Sequence, residues 1–246
     1  MSSNKSVVIT GGAGDIGKAI GKQLASEGYD VVLVDVRENI ITVAEELSEA
    51  TGRRVLGFTM DVTDPESVKR SFLSVQRRLN VNNLFGLINN AGITIDSTFR
   101  KMTYEQWDSV IKVNLYGAFN CTKEVVEGMI QNKSGRIVNI SSISRFGNYG
   151  QANYSASKSG LVGFTMTLAK ELGKYGITVN AISPGIIDTN MSKTIPEPIK
   201  SEMLKRIPLG RMGKPQEIAY LLSFLISENA NYINGEVINV SGGFYF

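Results

Sequence analysis

At 246 residues and 42% hydrophobic, the chain has enough apolar material to bury the core of an α/β domain without disulfides or metals. It contains no histidine, which removes Ser-His-Asp hydrolysis, Cys-His proteolysis and His-ligated zinc together and leaves acid/base work to Tyr, Lys or carboxylates. A net charge of +3, with Lys and Arg scattered among Asp and Glu, gives no basic stripe for a nucleic-acid backbone, and no apolar run reaches the ~18 residues needed to cross a bilayer.

Met1-Ser2-Ser3-Asn4-Lys5 leads straight into a strand pattern rather than a secretory segment, so a soluble, cytoplasmic protein with no nucleic-acid, membrane or metal partner is the expectation. Ser6 to Thr10 forms the first β-branched strand. Thr10-Gly11-Gly12-Ala13-Gly14-Asp15-Ile16-Gly17 then makes a glycine-rich turn opening onto a helix whose apolar face is Ile16, Ala19, Ile20 and Leu24. Glycine allows positive φ and lets a phosphate approach without a Cβ in the way, and a helix N-terminus favours its charge.

The second strand, Val31 to Val36, places Asp35 18 residues past Gly17, where a carboxylate binds the adenosine ribose hydroxyls of a dinucleotide. Against that carboxylate a 2′-phosphate meets like charge, so NAD is favoured; Arg37, two residues on, is the feature that leaves NADP possible. Asp61 and Val62 end the third strand, Val55 to Met60, where a short polar side chain can reach the adenine amino group. Asn89-Asn90-Ala91-Gly92 ends the fourth, Leu84 to Asn89, in a small-residue turn that lets backbone pass close to the cofactor ribose.

A helix predicted from about Tyr104 to Met129 carries Asn114 and the single Cys121, which with no second thiol reads as a small buried hydrophobe. The fifth strand, Arg136 to Ile140, runs into Ser141 and Ser142. Tyr154 and Lys158, four apart, put phenol and ammonium on one helix face, where the cation favours the phenolate and brings the tyrosine pKa down. The spacing by itself is also that of an ordinary helix start. Leu161, Phe164, Leu168 and Leu172 continue that helix; with the apolar face of the Tyr104–Met129 helix they exceed what one sheet can bury, which predicts subunit association.

The sixth strand, Thr178 to Ile182, precedes Pro184-Gly185, and the seventh, Glu236 to Val240, closes the series. Between them Thr189 to about Arg211, carrying Pro196, Pro198 and Pro208, breaks the alternation and is expected to be a mobile substrate lid. Near-continuous apolar strands separated by amphipathic helices require a parallel sheet with right-handed crossovers. The fold class is therefore α/β, a doubly wound sheet of seven parallel strands with helices on both faces in a single domain over residues 1–246.

The segments Gly11 to Gly17, Asn89-Asn90-Ala91-Gly92, Asn114, Ser141-Ser142, Tyr154-x-x-x-Lys158 and Pro184-Gly185 stand in the order and spacing of the short-chain dehydrogenase/reductase family, which the chain resembles from Val7 to Phe246. The resemblance implies a Rossmann-like sheet and hydride transfer between a nicotinamide and a carbonyl or secondary alcohol. Tyr154 would be the acid in reduction and the base in oxidation. Lys158 would lower its pKa and hold the nicotinamide ribose, a serine would hydrogen-bond the substrate oxygen, and Asn114 would hold a water on a proton path. Cofactor contacts would come from Gly11, Asp15, Ile16, Gly17, Asp35, Asp61, Val62, Asn90, Ala91, Gly92, Tyr154, Lys158, Pro184, Gly185, Ile187 and Thr189.

Counting back from Tyr154 by the family's interval gives Ser141 as that serine, whereas matching the strand Gly135 to Ser142 gives Ser142 with one residue lost from the next loop. Strand register is the firmer guide, because a one-residue slip turns every side chain to the other face, and Ser142 is chosen. Asp15 departs from the family pattern by standing where a glycine is usual. If it points at the pyrophosphate it weakens binding; if it points outward and caps amides, little changes.

Within the family the chain is most similar to the β-ketoacyl thioester reductases that act on acyl-carrier-protein or CoA substrates, through Phe99 to Thr103, Gly150 to Tyr154, Gly176 to Asn180 and Gly242 to Phe246. By that resemblance Gln151 touches substrate and the assembly is a homotetramer. Most such reductases use NADPH, whereas Asp35 points to NADH. The positions that dock an acidic carrier protein correspond to Lys133 and Tyr175, so one charge is missing unless Lys174 compensates. The alternatives are an NAD-dependent dehydrogenase of a small secondary alcohol, sugar or polyol, and a non-catalytic dinucleotide-binding protein.

Overall fold

The computed structural model describes residues 5–244, so Met1 to Asn4 and the final Tyr245 and Phe246 of the C-terminal resemblance lie outside the described residues. Seven strands form one sheet: β1 (Ser6–Thr10), β2 (Asp30–Asp35), β3 (Val55–Thr59), β4 (Gly86–Asn89), β5 (Gly135–Ile140), β6 (Ile177–Pro184) and β7 (Val237–Val240). All pairings are parallel, in the order β3-β2-β1-β4-β5-β6-β7. The strand bounds match the sequence pattern to within two residues. The largest extension, β6 running on to Pro184, arises because Pro184 still pairs with Val240 although it has no N–H to donate.

The helices are α1 (Asp15–Ser26), α2 (Ile40–Thr51), α3 (Pro65–Leu79), α4 (Tyr104–Ile111), α5 (Gly117–Asn132), α6 (Ala152–Leu172), α7 (Glu197–Lys205) and α8 (Pro215–Ile226). Strand side chains alternate between two cores. Val7 and Ile9 pack with Ile20 of α1, Ile40 of α2 and Leu222 of α8, while Val8 between them packs with Phe72 of α3, Met129 of α5 and Ala169 of α6. This double burial is why the strands read as continuous apolar runs rather than alternating ones. Cys121 is fully buried in the second core, where burial pushes its thiol pKa up, as expected for a small hydrophobe.

The helix predicted from Tyr104 to Met129 is corrected. It is two helices, α4 and α5, joined by a π-helical turn over Lys112–Tyr116, which shifts the hydrogen-bond register by one residue around Asn114. The 189–211 segment leaves the sheet after a backbone bridge between Ile187 and Gly213, carries α7 and rejoins before α8. Because every strand is parallel, the turns after β1, β4, β5 and β6 all emerge on one edge, and the order reverses between β1 and β4. That crevice is where open α/β sheets take ligands.

Candidate active site

The glycine turn after β1 is shaped by close backbone approach. Gly11 has φ +64°, and a Cβ added to it would lie 2.9 Å from Ala91 Cα; one on Gly17 would lie 2.4 Å from Gly11 O. Helix α1 starts from Gly14 with no side-chain cap, so its leading amides remain donors for a ligand. Thr10 Oγ1 accepts from the amides of Asn90 and Ala91, and Asn90 Nδ2 donates to the carbonyls of Thr10 and Gly11, which ties the β4 turn to the β1 turn. An uncapped helix start beside a turn with no room for side chains fits the pyrophosphate of a dinucleotide.

At the end of β2, buried Asp35 receives the amide of Ala13 at 3.0 Å on Oδ2. Arg37 also holds it, donating from Nε to Oδ1 and from Nη2 to Oδ2, each at 3.0 Å. Burial works against the Asp35 charge, yet these hydrogen bonds from Arg37 and the amides of Arg37 and Ala13 outweigh it and hold the carboxyl below its usual range. Met60 N donates to Asp35 O, so Asp61 and Val62 sit beside it on the sheet. Asp61 Oδ1 accepts from the Thr63 amide and hydroxyl, while Val62 O accepts from Asn120 Nδ2.

A cavity of about 240 Å³ lies over the C-terminal edge. Of the residues expected in the site, Ile16, Asn90, Gly92, Ser142, Gln151, Tyr154, Lys158, Pro184, Gly185, Ile187 and Thr189 line it. Gly11, Asp15, Gly17, Asp35, Asp61, Val62, Ala91 and Asn114 stand outside its wall.

The two serines are separated by the strand pleat. Ser142 shares the cavity wall with Tyr154, where its hydroxyl favours the phenolate, and it accepts from Ser144 N, whereas Ser141 Oγ donates to Lys158 O and holds the helix. Lys158 is buried, and its Nζ donates to Ile140 O at 2.7 Å and lies 5.5 Å from the Tyr154 ring centroid. The expectation that Lys158 lowers the tyrosine pKa is not met by this geometry. Burial pushes the Tyr154 phenol up to about 12 against the Ser142 hydrogen bond, and burial lowers Lys158 to about 8. Desolvation acts on both groups, and the ammonium is turned toward a carbonyl rather than the phenol oxygen.

Asn114 is held on the π turn by its side chain: Oδ1 accepts from Ile93 N, and Nδ2 donates to Ile93 O and to Ser157 Oγ. A Cβ on Gly92 would lie 3.3 Å from Lys158 Nζ and 3.4 Å from Asn114 Oδ1, so both groups border one small space. Asp15 points outward. Its carboxylate accepts from the amide of Asn190 at 2.6 Å and from Asn190 Nδ2 at 3.2 Å, at the start of the 189–211 segment.

A family model described as Enoyl-(Acyl carrier protein) reductase matches residues 11–245. The chain is 44% identical over 240 residues to a 3-oxoacyl-acyl-carrier-protein reductase of Aquifex aeolicus, covering 97% of this chain and 96% of that one. The corresponding reductase of Thermotoga maritima is 43% identical with 97% of each chain covered, and that of Staphylococcus aureus 40% identical with all of each covered. The chain belongs to the short-chain dehydrogenase/reductase family.

Members of this family are nicotinamide-dependent oxidoreductases, and the chain is such an enzyme. Several lining residues escaped the sequence reading. Asp96 accepts from Gln151 Nε2 at 2.9 Å and its charge adds to the upward push on Tyr154. Asn148 Nδ2 donates to Gln151 Oε1 at 2.9 Å. Asp96 had a usable signal, four residues past the Gly92 turn on the edge where the site forms. Met203 and Phe244, from α7 and the C-terminal tail, had none, because only the folded chain brings them to the cavity. Arg145 instead reaches Ser183 and Asn239 between strand ends. Lys133 caps α5 just ahead of β5, on the sheet edge opposite Ser142, and Lys174 stacks 5.0 Å from the Tyr175 ring centroid.

Proposed function

We propose that this enzyme reduces the 3-keto group of a β-ketoacyl thioester, carried on acyl carrier protein or coenzyme A, in fatty acid metabolism. The observation that carries the reading is the Ser142–Tyr154 hydroxyl pair on the cavity wall, backed by Lys158, in a chain similar end to end to relatives named for that reaction. When bound, the nicotinamide supplies the hydride that reaches the carbonyl carbon. Ser142 donates a hydrogen bond to the carbonyl oxygen, and Tyr154 passes its proton to that oxygen as alkoxide character develops. An alkoxide is a far stronger base than a phenolate, so the transfer runs downhill even from a phenol near 12. Lys158 then offsets the phenolate charge, and a water over Gly92, between its Nζ and Asn114 Oδ1, returns the proton. Gln151, held by Asp96 and Asn148, borders the acyl side.

The Gly11–Gly17 turn would hold the dinucleotide and Asp35 its adenosine ribose, and NAD(H) would be preferred because a 2′-phosphate would meet the Asp35 carboxylate. The 189–211 segment serves as the substrate lid, and the enzyme works as a cytoplasmic homotetramer.

The test is the loss of reduced-cofactor absorbance when NADH or NADPH is mixed with acetoacetyl-CoA or a 3-oxoacyl-carrier-protein substrate. Oxidation with one of these substrates, faster with NADH, is expected. Turnover of a secondary alcohol or polyol with NAD+ or NADP+, and none on either thioester with the reduced cofactors, would overturn the reading.

A further inference from the structure

The cavity that holds Tyr154 is walled in part by Phe244, a few residues past β7. Gly242 and Gly243 have φ of +63° and +86° and turn Phe244 back beneath the 189–211 segment. A Cβ on Gly243 would lie 2.9 Å from the Pro208 ring, and one on Gly242 3.0 Å from Ile207, so tail and segment pack in contact. Phe244 has no exposed surface, clusters with Ile143 and Ile207, and lines the cavity. The Arg206 guanidinium lies 5.2 Å from its ring centroid.

Ile143 directly follows Ser142. The ring therefore packs against the residue that follows Ser142 and against Leu204 of α7. The cavity's volume of about 240 Å³ is below the ~300 Å³ at which small-molecule sites usually begin, and it must also admit the reacting end of the cofactor. Phe244 walls the space left for an acyl tail, together with Met191, Ile195 and Met203 of the 189–211 segment.

We propose that Phe244 sets the acyl-length limit of this enzyme and that its substrate is a short β-ketoacyl thioester of the acetoacetyl class. The inference rests on the thioester reading above. A longer chain has to lift the ring from Ile143 and Ile207 and part the tail from Pro208, so discrimination falls mainly on KM for the acyl substrate and leaves cofactor binding alone.

The experiment compares acetoacetyl-CoA with 3-oxooctanoyl-CoA in the full-length enzyme and in Phe244→Ala and Phe244→Leu. The unaltered enzyme should favour acetoacetyl-CoA by at least about tenfold in kcat/KM, the scale on which apolar pockets reject extra methylenes. Phe244→Ala should bring the two within a few-fold through a lower KM for the octanoyl substrate, with Phe244→Leu between and the cofactor KM unchanged. If Phe244→Ala does not fold, as judged by its thermal transition, the Leu variant carries the comparison. Equal use of both substrates by the unaltered enzyme, or an unchanged ratio in the variants, overturns the inference. No turnover of either chain length, as the CoA or as the acyl-carrier-protein thioester, overturns the reading beneath it as well.

Discussion

Lys158 is held against its own charge. Its folded pKa of about 8 lies below the ordinary 10.5, so between these values the unfolded chain binds more protons and stability rises with pH. The cost, on the order of 3 kcal/mol, is fully present below pH 8 and gone above 10.5. Lys158→Met should therefore stabilise the fold at pH 7 in chemical denaturation, less about 1 kcal/mol for the lost bond to Ile140 O, show no gain at pH 10.5, and lose turnover. A variant equally destabilised at both pH values would show that the ammonium is not strained. Asp35 carries a second prediction. Its carboxylate now holds Arg37, so Asp35→Asn should free a half-exposed guanidinium for a 2′-phosphate and move the kcat/KM preference toward NADPH by about tenfold or more. If NADH preference is unchanged, the pair does not read the ribose. Strand register in the sequence turns the two adjacent serines to different neighbours, and in the fold Ser141 Oγ donates to Lys158 O while Ser142 Oγ accepts from Ser144 N. The tyrosine pKa was not legible in the sequence, because its direction depends on burial and on where the lysine nitrogen points.

At the scale of elements, the strands followed from periodicity, since residues buried on both faces leave an unbroken apolar run, while their order in the sheet came from the fold. The π turn at Asn114 left no such trace. One extra residue in a helix does not alter its pattern enough to be read, and the cause lies in Asn114's bonds to Ile93, a contact across 21 residues. Asp15 illustrates a choice that sequence could frame and only the fold could resolve. Turned to Asn190, it joins the start of α1 to the start of the 189–211 segment, with Lys193 donating to Asn190 Oδ1 at 3.2 Å. Asp15→Gly should thus change dinucleotide affinity by less than about tenfold while making the segment around α7 more susceptible to limited proteolysis. A hundredfold gain in affinity would mean that the carboxylate opposes the pyrophosphate after all.

At the scale of the whole molecule, the apolar helix faces divide. Leu161 and Leu172 are buried within the subunit and Phe164 and Leu168 partly so, whereas Tyr116, Phe119 and Met166 remain exposed. We expect these to meet a second copy, so light scattering should give a tetramer mass and Phe119→Glu a smaller species; a monomer at micromolar concentration would refute this.

The buried ammonium also has a consequence for the protein as a solute. A chain without histidine has almost nothing that changes protonation between about pH 5.5 and 7.5, apart from a terminal amine at the upper end. Solubility and assembly should be flat across that range, with none of the usual background drift. Against so quiet a baseline, a bend in the rate near pH 8 has only two candidate nitrogens, Lys158 Nζ and the terminal amine, and acetylating the latter tells them apart.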